Sequence, residues 1–166
     1  KELTLELTTE MLVLSGLSES HPHGLRLAQQ ALDSGKALER LGELIEAQGG
    51  NPRIIDNIGL LPQSPHTTVV TAPYEGWVAC IDARLIGDAT VALGAGRTQR
   101  SDSLDPAAGI ELHAKCGQWV SHNEPWATLY HGPGADLERA TMKLKAALSI
   151  SPDKPAAIHL VKERRP

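Results

Sequence analysis

A chain of 166 residues, 41% hydrophobic and 22% charged, has the make-up of one ordinary globular domain or two small ones, which excludes a disordered tail. The formal net charge of -4 argues against sequence-independent binding to a phosphate backbone, which needs a basic face, so no nucleic acid partner is expected. No apolar run approaches the ~18 residues of a spanning helix, so no membrane partner is expected. Cys80 and Cys116 lack the spacing of a disulfide framework or a zinc site, which fits a reducing cytoplasm.

Lys1-Glu2-Leu3 enters a helical pattern at once and without an initiator Met, which points to a piece of a longer or processed chain. Leu3, Leu7, Met11 and Leu14 recur at helical spacing, predicting a helix over 2–15 that Gly16 ends. A second helix is predicted over 22–33 with Leu25, Ala28 and Leu32 inward, and a third over 36–48 with Leu38, Leu41, Leu44 and Ile45 inward. Asn51-Pro52, Leu61-Pro62 and Ser64-Pro65 then break the pattern, and the periodicity changes from helical to alternating. The domain boundary is placed near Pro62. Strands are predicted over 66–72 and 77–83, a helix over 84–93, a loop over 94–108, strands over 110–114 and 126–131, a helix over 136–148 and a last strand over 157–161. This order is an α+β plan.

Glycines in Gly94-Ala95-Gly96-Arg97 could let backbone amides approach a phosphate that the arginine clasps. They follow a predicted helix, however, where the dipole end is negative, so a helix C-cap opening into a surface loop is the preferred reading. The seven histidines, among them His113 and His131, show no HxxxH or HExxH spacing, and no GxSxG elbow presents a nucleophile. Lys162, Arg164 and Arg165 are interrupted by Glu163 and read as a solvated tail.

The order Met11-Leu12, Asp33-Ser34-Gly35-Lys36-Ala37-Leu38, Ala47-Gln48-Gly49-Gly50, Leu61-Pro62, Gly76-Trp77-Val78, Gly87, Leu93-Gly94-Ala95-Gly96-Arg97, Ser101-Asp102, Asp105, Gly109-Ile110-Glu111-Leu112-His113 and Lys115-Cys116-Gly117-Gln118-Trp119-Val120 resembles the carboxy-terminal part of the pyrimidine nucleoside phosphorylases, the family of thymidine phosphorylase. The resemblance implies that residues 1–62 are short antiparallel helices of the catalytic α/β lobe. It implies that residues 63–166 form an α/β hammerhead domain with a mainly antiparallel sheet. Such enzymes are pentosyltransferases of nucleoside salvage: phosphate attacks the anomeric carbon of a pyrimidine nucleoside and yields free base and a pentose 1-phosphate. No cofactor beyond the phosphate co-substrate is implied, and the whole enzyme is implied to be a cytoplasmic homodimer.

The family's phosphate-binding and base-binding groups lie in an amino-terminal half that this chain lacks. The resemblance therefore places no catalytic and no substrate-binding residue here, and the chain alone is expected to be inactive. Two features of the family do map onto it. Glu2 takes the place of an acidic ligand of a monovalent cation, although a carboxylate at a helix start is equally a partner of the helix dipole. The loop carrying Gly94, Ala95, Gly96, Arg97, Asp102 and Asp105 lies in the family near the cleft between lobes and moves as they close. Archaeal enzymes that phosphorolyse nucleoside monophosphates share this tail. The segments around Gly76-Trp77-Val78 and Gly117-Gln118-Trp119-Val120 also resemble the hammerhead of biotinyl and lipoyl carriers, but no lysine stands at an evident hairpin tip.

Overall fold

The computed structural model describes residues 1–97, 99–157 and 161. Lys1–Leu60 form one compact unit, and the described residues from Leu61 to Ala157 belong to a second.

The first unit is helical. α1 (Glu2–Leu14) ends where Gly16 takes φ +72°, a conformation that costs a residue without Cβ little. α2 (His21–Asp33) starts after Ser20, whose backbone is extended, with Pro22 in the first turn. Gly35, at φ +81°, turns the chain directly into α3 (Lys36–Ala47). Two short 3-10 turns follow, Pro52–Ile55 and Ile58–Leu60, the first begun by the Asn51 side chain accepting from the Arg53 amide.

Small residues hold α1 against α2. A Cβ on Gly24 would lie 3.2 Å from Thr9 Cγ2 and 3.3 Å from Thr9 O, and Thr9 and Ala28 are buried beside it. This differs from the inward stripes read from the sequence. Leu25 and Ile45 are half-buried and only Ala28 is buried, whereas Leu32, Leu38, Leu41 and Leu44 are exposed, as are Leu3, Leu7, Met11 and Leu14 of α1. Helical periodicity marks which side of a helix is apolar, and within this unit no further layer lies over those sides.

The second unit is α+β. Its elements are β1 (His66–Thr71), β2 (Gly76–Ile81), α4 (Ala83–Ala92), β3 (Gly109–Leu112), β4 (Trp119–Val120), β5 (Pro125–His131), α5 (Leu137–Ala147) and β6 (Leu148–Ser151). They make two antiparallel three-stranded sheets, ordered β1-β5-β3 and β4-β2-β6. The core runs between them and α4 and α5, through Val70, Val78, Leu93, Val120, Trp126, Leu129 and Leu144.

Trp126 is the largest buried side chain, and it reaches the core through a bulge. Val70 pairs with Ala127 and Thr71 with Pro125, leaving Trp126 as the extra residue on β5, so Trp126 and Ala127 are both buried where strict alternation would expose one. Asp82 caps α4 by accepting from the amides of Arg84 and Leu85, and Asp136 caps α5 by accepting from Arg139.

Two elements differ from the sequence reading. Leu148 begins a strand and does not end a helix, because residues 148–151 pair with β2 while the Asp82 amide donates to Ala147 O at 2.9 Å. The two-residue β4 carries too little alternation to be read as a strand without its partner Trp77. The strand expected over 157–161 falls across residues 158–160, outside the described residues, as do Lys162, Arg164 and Arg165.

Candidate functional site

The loop after α4 is the segment that collects most of the residues singled out from the sequence. α4 ends in a double-bonded cap: the Gly94 amide donates to Val91 O at 3.0 Å and the Ala95 amide to Thr90 O at 3.2 Å. Gly94 has φ +98°, the conformation this cap requires. Those amides point back into the helix, so Gly94 and Ala95 serve as a C-cap and do not present donors to an anion. Gly96 packs so closely that a Cβ would lie 2.6 Å from Val91 Cγ2. The chain then reaches the exposed Arg97.

Two aspartates close the loop. The Gln99 amide donates to Asp102 Oδ2 at 2.7 Å, and the Asp102 amide returns to Gln99 O at 3.1 Å. Asp105 makes three bonds: its amide donates to Gly94 O at 2.9 Å, its Oδ1 accepts from the Ala107 amide at 2.9 Å, and its O accepts from the Ala108 amide at 3.2 Å. Its Oδ2 faces Gly132, where a Cβ would stand only 2.9 Å away. No sequence signal links Gly132 to this loop, since the approach depends on where β5 ends beside it.

The histidines divide into structural roles. His131, on β5, is buried; its Nδ1 lies 3.3 Å from Gly132 O, which can only accept, and its Nε2 lies 3.0 Å from the Thr68 hydroxyl. His113 Nε2 lies 2.8 Å from Thr128 Oγ1, in the middle of β5 on the face that alternation sets opposite to His131, so these two histidines share no site. In the helical unit, His21 Nε2 lies 3.0 Å from Glu6 and 3.7 Å from Glu10. Among the described residues no group of three or more His, Cys, Asp or Glu is placed to hold a metal ion.

Glu2 lies exposed in the first turn of α1, beside Lys1, whose Nζ is 3.4 Å from Asp33. Both Lys1 and Glu2 border a groove of about 730 Å³ between α1 and α2 that Leu5 and Leu25 also line. A hydrogen bond donated by Gln29 is the main influence holding the Asp33 carboxyl below its ordinary range. Lys115 opens a tight turn in which Gly117 takes φ +83°. The Lys115 amide donates to Gln118 Oε1 at 2.7 Å, and the Gln118 amide donates to Lys115 O at 3.1 Å. On the exposed side of the first sheet, Tyr130 donates to Glu111 at 2.8 Å; that bond, with the charge of the carboxylate, pushes the phenol above its usual range.

Residues 77–151 match the family described as "Pyrimidine nucleoside phosphorylase C-terminal domain". The chain is 34% identical over 162 residues to a protein named "Pyrimidine-nucleoside phosphorylase" from Staphylococcus aureus (strain bovine RF122 / ET3-1), with 96% of this chain and 37% of the relative covered. Proteins of the same name from the strains USA300 and NCTC 8325 are each 33% identical over 162 residues, with the same coverage. The chain thus spans little more than a third of the length of the curated relatives it matches, 37% in each case. No helix among the described residues is long and apolar enough to cross a membrane. By these sequence matches, this chain belongs to the pyrimidine nucleoside phosphorylase family as a C-terminal portion of it.

Proposed function

We propose that the chain is the supporting, C-terminal part of a pyrimidine nucleoside phosphorylase, a pentosyltransferase that passes the pentose of a pyrimidine nucleoside to phosphate. The observation that carries this reading is the 34% identity spread over 96% of the chain to a protein bearing that name, which spans both compact units and not the matched domain alone. In this reaction phosphate oxygen bonds to the anomeric carbon while the bond to the base nitrogen breaks, and the departing pyrimidine takes the electron pair. Catalysis needs donors that hold phosphate in line and stabilise charge growing on the base. Those donors are proposed to belong to the portion of the relatives that lies outside this chain.

The role left to this chain is architectural, with one moving part. The loop that holds Gly94, Ala95, Gly96, Arg97, Asp102 and Asp105 is proposed to border the cleft and to follow its closure, excluding water without touching the reacting atoms. Its bonds at Gly94 and Asp105 fix the two ends between which such a loop would move. The whole enzyme is proposed to be a cytoplasmic homodimer that needs phosphate as co-substrate. A monovalent cation at Glu2 is part of the same proposal, and the dipole of α1 is the competing use of that carboxylate.

The test is phosphate-dependent release of uracil from uridine and thymine from thymidine, measured for the 166-residue chain and for a longer protein that includes it. Turnover by the longer protein alone supports the division of labour. Turnover by this chain alone would place the phosphate and base sites here and end it.

A further inference from the structure

We propose that Asp105 is the positioning residue of the loop over 94–108, tying its far end at once to the cap of α4 and to the end of β5, with Gly132 as the position that makes room for it. The effect on turnover rests on the cleft-closure role proposed above; the junction itself does not.

Three elements meet at this one residue. Its amide bonds Gly94 O, so the loop's return point is fixed on the same glycine that ends α4. Its carboxylate turns the chain toward β3 by accepting from the half-buried Ala107 amide at 2.9 Å, a donor that loses its protein partner if the carboxylate is removed. The second carboxylate oxygen occupies the space a side chain on Gly132 would need, 2.9 Å from where its Cβ would stand. Gly132 O in turn bonds His131, which Thr68 holds from β1. The far end of the loop is therefore bonded to the cap of α4 and packed beside the end of β5.

The carboxylate also explains why the two positions are coupled. Gly132→Ala displaces Asp105 only while a side chain with that second oxygen is present. Asp105→Asn keeps an oxygen for the Ala107 amide, whereas Asp105→Ala keeps the shape of the backbone but leaves that amide without its acceptor.

Amide hydrogen exchange over residues 94–97 and 105–108 tests this on the chain as it stands, with the thermal midpoint as a control for global loss of fold. Asp105→Ala should speed exchange there about tenfold, the scale expected when one half-buried amide loses its partner, and Asp105→Asn should restore most of the protection. Gly132→Ala should have a similar effect alone and little added effect when combined with Asp105→Ala. Unchanged exchange in Asp105→Ala, or an effect of Gly132→Ala that is the same with and without Asp105, overturns the proposal. In the longer enzyme, Asp105→Ala should lower kcat with little change in KM. A loop opened by the exchange measurement with kcat untouched would leave the junction standing and remove the closure role, while a fall in kcat without faster exchange would overturn the junction.

Discussion

Gly76 shows how a single position can be decided by its neighbours. It takes φ +150°, and a Cβ there would stand 2.6 Å from Ile150 Cγ2 and 2.8 Å from Ser151 O, so β2 and β6 approach only because that atom is missing. Gly76→Ala should therefore cost about 1–3 kcal/mol or more, backbone strain adding to the clash, and denaturant unfolding would show it as a lower midpoint. The Tyr130–Glu111 bond gives a pH prediction at the same scale. A phenol whose folded pKa is raised binds its proton more tightly in the folded state. Its stabilisation is thus full below the ordinary tyrosine range and is lost as pH rises through the raised value. In Glu111→Gln the phenol should ionise at lower pH; an absorbance titration that finds it unmoved would count against the bond as the cause.

Caps and cross-strand pairs decide more at the level of elements than propensity does. Asp82 serves two amides at the start of α4, and Asp82→Ala should cost about 0.5–2 kcal/mol, read by thermal unfolding. Trp77 and Trp119 face each other across β2 and β4, edge to face with ring centroids 5.5 Å apart, and Lys154 Nζ lies 4.8 Å from the Trp77 ring centre. β4 is only two residues long; Val120 anchors it in the core and Trp119 pairs with Trp77 on the other face. A double-mutant cycle with Trp77→Ala and Trp119→Ala should return a coupling of about 0.5–1.5 kcal/mol. A coupling near zero would assign β4 to its backbone bonds and the burial of Val120.

The whole molecule is unevenly finished. In the unit from Leu61 onward, a buried core joins both sheets to α4 and α5, whereas the helical unit Lys1–Leu60 buries chiefly Thr9, Gly24 and Ala28 and, between α1 and α2, Ser18. Exposures of 58% at Leu7 and 68% at Met11 leave the apolar side of α1 open, and solvated apolar area of this kind promotes association. The purified chain should self-associate with rising concentration. Leu7→Glu combined with Met11→Glu should reduce that association in sedimentation experiments and leave unfolding of the sheet-containing unit unchanged.

Helical spacing and breakers are local properties, which is why α1 to α5 and the change of pattern after Pro62 were legible from residues alone. Gly16, Gly35 and Gly94 were readable as stops because a left-handed cap is a demand of one residue's backbone. The family resemblance was legible too, from the order of short motifs. What tertiary structure alone decided is where partners lie across the chain: that Leu148 continues into a strand on β2, that Trp126 turns inward through a bulge, and that Asp105 meets Gly132. Periodicity says which face of an element is apolar; only the packed structure says whether anything lies against it, because burial and register belong to pairs of segments and not to either one.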